Sequence, residues 1–275
     1  MIALDAIQAG GHQLWSELDR AFVATLMWNT VRLAAVVTLF ASVLGTGAAW
    51  LTERTSLPGR RVWAVFLVVP FVVPDFVLAW AWSSILPSVH GYWGAVLVMT
   101  LHLYPLVYLP MAAAFRAADP ALEEAARVLG SSRLSAWWRV SVRGARTTLL
   151  GASLLVCLAL LSYYGGFEDL RYQTFTTAIF GELQTRFAPG TASSLSLVLV
   201  GMSVLLLVAE ASFRERAVTG RSGAGVSRAQ RPVDLGRAQV LAIGGLAVLV
   251  GFALGFPVAV VAYWFATTSS VASGG

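Results

Sequence analysis

Asp75 is the residue with the most chemistry to account for. It stands inside the apolar run VVPFVVPDFVLAW, just after Pro70 and Pro74. A carboxylate at membrane depth costs about 2.5–3.5 kcal/mol on insertion scales, so it must face protein or a watery path. The two prolines remove backbone donors and free carbonyls at the same level. Asp75, with Pro74, then either lines a path and meets a cation, or is a structural carboxylate paired with a neighbouring helix. Tyr104 and Tyr108, beside Pro105 and Pro110, offer two phenols in the next apolar run, either as packing hydroxyls or as lining. Tyr163, Tyr164, Glu168 and Asp169 bring hard oxygen donors together, which suit a hard cation; the alternative is a loop that is solvated or touches a protein partner. His12, His90 and His102 are scattered without metal-ligand spacing, and His102 reads as a hydrogen-bonded helix histidine. No metal site is expected. No GxxxxGK[ST] loop occurs, and the chain has no lysine to complete one, which excludes that kind of nucleotide site.

The elements that must position these groups are membrane helices. Of 275 residues 57% are hydrophobic and only 12% charged, against about a quarter charged in a soluble domain. Several windows of roughly 20 residues carry at most one charge, enough to cross a hydrocarbon core of about 30 Å. The expected fold class is all-α, a polytopic transmembrane helical bundle of about six spans near 30–51, 62–86, 94–115, 147–164, 193–213 and 239–266. Cys157 is the single cysteine, so no disulfide forms within one chain. The first twenty residues lack the basic start and apolar core of a cleavable signal.

Net charge is +5, which in a soluble protein would suggest a nucleic-acid partner. Here the arginines report topology instead, and no nucleic acid is expected. They gather in the loops 52–61, 116–146 and 214–238, while Arg171 and Arg186 lie in the loop on the other side. The positive-inside rule places the first three in the cytoplasm and residues 1–29 outside. The segment 214–238, rich in Gly, Ser and Arg, reads as a cytoplasmic linker. TFTTAIFGEL, in the outer loop 165–192, is too short to span and suits an interfacial or re-entrant helix.

The most charged block is DPALEEAARVLGSSRLSAWWRVSVRGAR. Asp119 and Pro120 are helix-start residues, and Glu123 and Glu124 face the positive end of the dipole. Gly130 suits the left-handed position that closes a helix. Ser131 or Ser132 then caps a second helix. Ala125 and Ala126 permit close approach, and Trp137 and Trp138 offer apolar area.

EAARVLGSSRLSAWWRVSV resembles the EAA loop of ATP-binding-cassette importer permeases. Glu124, Ala125, Ala126 and Gly130 match its pattern, Val140 and Val142 stand in conservatively, and Arg143 occupies a position where the family usually has Pro. The resemblance implies that the loop docks in a cleft of a separate ATPase, with Glu123, Glu124, Ala125, Ala126, Gly130, Ser132, Leu134, Trp137 and Trp138 as coupling residues. NTVRLAAVVTLFASVLGTGAAWLTERTSLPGRR and LRYQTFTTAIF look like ferric-iron permeases, with thiamine and phosphonate permeases as relatives. The implied fold is that of a type I importer permease in the bacterial inner membrane. No cofactor is expected on this chain, ATP and Mg being held by the partner. The implied partners are ABC ATPase subunits, a second permease half or a homodimer partner, an extracytoplasmic substrate-binding protein and the lipid bilayer.

Iron-type permeases usually carry two tandem halves. This chain has one loop, a permease core over 30–213, the linker, and a segment 239–275 that resembles the start of a second half; a span ahead of residue 25 is also expected in the family. A truncated or split chain is therefore expected. Competing readings are a permease for thiamine, phosphonate or a polyamine-type solute, a non-transporting scaffold, and an intramembrane enzyme. The last lacks a second catalytic group at the depth of Asp75.

Overall fold

The computed structural model describes residues 20–118, 125–126, 128–132, 135, 137–218 and 232–272. Residues 1–19, Asp119, Pro120, Glu123, Glu124, Leu134 and most of the linker lie outside these. Among the described residues the chain is helical, with one isolated bridge between Thr55 and Val233.

Helix α1 runs from Arg20 to Arg54, about 52 Å at 1.5 Å per residue, longer than a hydrocarbon core. The expected span 62–86 is instead a broken pair. Helix α2 (Arg60–Phe66) leads through a 3₁₀ turn at Val69–Phe71 to helix α3 (Asp75–Ile85), and the two halves meet at 87°. Neither half is long enough to cross alone. The cause is local: Pro70 and Pro74 cannot donate, and Pro74 takes extended geometry (ψ 141°) as the N-cap of α3. Asp75 therefore sits in the first turn of a helix that starts at the bend, not halfway along a continuous one. Its charge meets the positive end of that helix.

Helix α4 (Tyr92–Ala117) passes through both Pro105 and Pro110 without ending, and is the most enclosed of the helices long enough to span. Helix α5 (Arg146–Ser162) has 17 residues, slightly short for a span. The outer loop folds as α6 (Gly165–Asp169) and α7 (Phe175–Gln184). Helix α8 (Pro189–Val218) is a full span. Helix α9 (Ala238–Val250) continues through a π-helical turn at Gly251–Gly255 into α10 (Phe256–Ala272). Among the described residues four helices are thus long and apolar enough to cross a membrane, or five where the bent pair counts as one span.

The core forms where α1, α4 and α5 meet. Gly45 lets α1 and α4 cross closely: a Cβ there would lie 2.7 Å from Val107 Cβ, 2.8 Å from the Tyr104 carbonyl oxygen and 2.8 Å from the Tyr108 nitrogen. The last span lies against α3, where Trp82 contacts Phe252 and Phe256 at ring distances of 5.8 and 4.2 Å. The described ends of the arginine-rich segments meet on one face. Val233 donates to the Arg54 carbonyl at 2.8 Å and accepts from Ser56 N–H at 3.0 Å, which brings the end of the linker beside the 52–61 loop. Arg116, at the start of the charged block, pairs with Glu53 at 3.3 Å on that same face.

Candidate functional site

Two regions carry the residues singled out above. The first is the charged block. Gly130 has φ +90°, the conformation that favours glycine. Ser131 N–H donates to the Ala126 carbonyl at 3.0 Å and Leu129 N–H to that of Ala125 at 3.1 Å, so the first helix closes at the glycine. Ser132 Oγ then accepts from Ser135 N–H at 3.3 Å, the capping expected of it. Val128 and Leu129, just before the turn, are 87% and 86% exposed. This adjacent aliphatic pair is not covered by any of the described residues; the sequence reading passed over it because apolar residues are common everywhere in this protein. Trp137–Val142 form a π-helical turn, and helical backbone continues over 143–144 until Ala145 (φ −88°, ψ 5°) caps α5. The break before α5 is thus made at Ala145, with Arg143 in helical conformation.

The base of the block is anchored. Phe115 and Ala145 are buried, and Tyr108 shares a 3.3 Å hydrogen bond with Thr52. Tyr108 and Tyr104 are 2% and 0% exposed, within the α1–α4 contact. The structure therefore separates these two phenols from Tyr164, Glu168 and Asp169, which lie in the outer segment.

The second region is centred on the bend. His102, on α4 and buried, faces the Pro70 carbonyl through Nδ1 at 3.3 Å and the Tyr163 hydroxyl through Nε2 at 3.2 Å. A carbonyl only accepts, so Nδ1 carries the proton and Nε2 receives the phenol hydrogen. Phe71 stacks on the imidazole at 5.7 Å. His102 thus satisfies a carbonyl that the proline break leaves open and ties it to the end of α5. Tyr163 extends the chain of contacts: its own carbonyl accepts from Thr176 Oγ1 at 2.6 Å, in the first turn of α7. Thr174 and Thr177 form a reciprocal cap there.

Asp75 Oδ2 accepts from the Gly166 N–H at 3.0 Å. A Cβ on Gly166 would come within 2.6 Å of Met99 Cε and 2.9 Å of Asp75 Oδ2, the ends of two side chains that would have to shift. This contact joins the bend to α6, 91 residues further on. Tyr164 stacks on Phe180 at 4.1 Å. Glu168 is exposed and Asp169 half-buried. Burial pushes the Asp169 carboxyl above the usual carboxylate range, and the charges of Asp75 and Glu168 push it further. Among the described residues no three His, Cys, Asp or Glu side chains converge as metal ligands would.

Beside these groups a cavity of about 490 Å³ is lined by Phe167, Glu168, Arg171, Tyr172, Glu182 and Arg186 among others. Glu182 is buried and pairs with Arg186 at 2.8 Å. A mixed-charge cavity next to a proline hinge can admit a polar solute or a protein partner's loop. The sequence reading also missed Arg32. It is the one charge in α1 between Arg20 and Glu53, and that isolation was the available signal.

Residues 41–216 match the profile of a family described as "Binding-protein-dependent transport system inner membrane component". The chain is 33% identical over 276 residues to the Fe(3+)-transport system permease protein FbpB 2 of Haemophilus influenzae, covering all of this chain and 54% of that one. It therefore spans about half the length of that relative. It is 25% identical over 228 residues to the sulfate transport system permease protein CysT of Salmonella typhimurium, covering 75% of this chain and 82% of the other. Among solved structures it is similar to a chain of the MetNI methionine ABC transporter in an inward-facing conformation, with TM-score 0.59 and 17% identity, over 71% of this chain and 95% of that one.

Proposed function

The chain belongs to the binding-protein-dependent transport system inner membrane components, and we propose that it is the membrane-spanning permease part of an ATP-driven importer of ferric iron. The cargo reading draws on the likeness to the Haemophilus ferric permease along the whole chain. The chain itself does no catalysis in this reading. ATP and Mg are held by partner ATPase subunits, a second permease half completes the path, and an extracytoplasmic binding protein delivers the cargo. The arginine-rich face is cytoplasmic, in a bacterial inner membrane. Residues 239–275 begin the second half, joined to the core by the 214–238 linker.

The observation that carries the coupling reading is the exposed Val128–Leu129 pair beside the Gly130 turn. Two aliphatic side chains that the chain leaves in water gain roughly 1.5–3 kcal/mol each on burial in a partner's cleft. Ala125 and Ala126 keep the first helix slim enough to enter such a cleft, with Glu123, Glu124, Ser132, Leu134, Trp137 and Trp138 completing the surface. Movement of the block reaches the bundle through the Arg116–Glu53 pair and the π-helical turn into α5.

Alternating access then works at the bend. The α2–α3 pair, held by His102 and by the Asp75–Gly166 contact, opens and closes a path past Pro74, Asp75, Tyr164, Glu168 and Asp169. Carboxylates along that path favour a cation. Tyr104 and Tyr108 serve the α1–α4 crossing in the conformation described. The test is the double change Val128→Asp, Leu129→Asp in the assembled transporter. Loss of the ATPase subunit on co-purification and loss of uptake in proteoliposomes, with membrane insertion retained, is expected. Retention of both subunit and uptake refutes the docking role.

A further inference from the structure

We infer that Arg32, framed by Tyr92 and Tyr172, is an oxyanion site that takes the phosphodiester of a phospholipid headgroup at the membrane boundary opposite the arginine-rich face. Position comes first. Arg54, whose carbonyl receives Val233 on the arginine-rich face, lies 22 residues beyond Arg32 on the same helix. That separation is about 33 Å along the axis, close to the ~30 Å thickness of a hydrocarbon core. If Arg54 marks one boundary, Arg32 marks the other. The flanking side chains agree. Trp28, one turn before Arg32, is 65% exposed, and Trp93, in edge contact with Tyr92 at 5.1 Å, is 70% exposed. Exposed tryptophans of this kind occupy the headgroup level.

The guanidinium is held, and no carboxylate among the described residues neutralises it. Its carbon lies 4.3 Å from the centre of the Tyr92 ring and 5.8 Å from that of Tyr172. Nε donates to the Tyr172 hydroxyl at 3.1 Å, and that hydroxyl donates in turn to the Asn29 carbonyl at 3.0 Å. Asn29 is itself fixed by donating to the Gln173 carbonyl at 3.3 Å. The Nε edge is thus used, while Nη1 and Nη2 have no protein acceptor among the described residues. No carboxylate there pairs with Arg32; Glu53 is taken by Arg116 and Glu182 by Arg186. A half-buried cation on aromatic rings with its donor fork open matches two oxygens of a phosphate group. A lipid phosphate supplies them at this depth, with its acyl chains in the adjoining hydrocarbon.

The experiment uses the full chain in detergent and native mass spectrometry. Wild type is mixed with dioleoyl phosphatidylglycerol, with a dioleoyl galactolipid of uncharged headgroup, or with inorganic phosphate. Retention of phosphatidylglycerol about tenfold above the galactolipid is expected, falling to the galactolipid level in Arg32→Gln. Arg32→Lys, which keeps the charge but loses the fork, is expected to fall between them. Equal retention of the two lipids by wild type overturns the site without recourse to any variant. Displacement of phosphatidylglycerol by millimolar phosphate assigns the fork to a free oxyanion and overturns the headgroup assignment.

Discussion

Gly45 and Gly47 lie two residues apart in α1 and should respond to alanine with opposite signs. At Gly45 the added methyl meets Val107 Cβ at 2.7 Å and two backbone atoms of α4, the Tyr104 oxygen and the Tyr108 nitrogen, at 2.8 Å. Backbone cannot rotate away, so α1 and α4 must separate by roughly 0.7 Å to reach ordinary contact. A gap of that size forfeits a quarter to a half of the dispersion energy at the affected contacts. Overpacking of this kind costs about 1–3 kcal/mol, and removal of a helical glycine returns up to about 1 kcal/mol. The net expectation for Gly45→Ala is a loss of about 1–2 kcal/mol, with strain also on the 3.3 Å Thr52–Tyr108 bond at the base of the charged block. At Gly47 nothing lies within 4 Å of the methyl, leaving only the gain, about 0.5–1 kcal/mol. Cys157 provides the assay. It is the only thiol, on α5 with its sulfur 3.1 Å from Thr38 Oγ1 on α1. Its labelling by a maleimide during a sodium dodecyl sulfate titration reports separation of those helices. The midpoint should move down for Gly45→Ala and up for Gly47→Ala. A Gly45→Ala protein as resistant as wild type would refute the close-crossing account.

Further expectations concern the bend, the block and the outer segment. His102→Phe keeps the stack on Phe71 but strands the Pro70 carbonyl and the Tyr163 hydroxyl, and the same titration should show a loss of about 2–3 kcal/mol. Gly130→Ala meets no neighbour, yet φ +90° strains an L residue by about 1–2 kcal/mol. Bundle stability should hold there while ATPase stimulation in the assembled transporter falls. Asp169 has its carboxyl raised above 3.8 in the folded chain, so the folded state holds that proton to higher pH than the unfolded one. The resulting stabilisation is fully present below the unfolded value and disappears as pH rises through the folded one. Asp169→Asn should flatten that part of the stability profile, and an unchanged slope would count against the burial and the Asp75 and Glu168 charges as its cause.

Composition alone determined the class of this protein, because a chain that is 57% hydrophobic and 12% charged has too little polar surface to face water on all sides. Arginine placement determined which loops share a face, and the Arg116–Glu53 pair and the Val233 bridge agree with it. Local rules reached further where one residue type leaves little choice: Gly130 at positive φ, a serine cap that falls on Ser132, and backbone donors lost at Pro70 and Pro74, although the span 62–86 was expected to be a single one. These features depend on neighbours within one or two turns, which a sequence displays directly.

What only the tertiary structure decided depends on residues far apart in the chain. Proline breaks a helix without setting the angle; the 87° between α2 and α3 belongs to a fold in which His102 holds the loose carbonyl and Gly166 reaches Asp75. The same apolar alphabet serves lipid contact, core and docking surface in a membrane protein. Hydrophobicity therefore could not separate exposed Val128 and Leu129 from buried Val107 and Leu103. Arg32 was visible as a lone charge, but its tyrosine frame comes from α4 and the outer loop, and only packing brings those together.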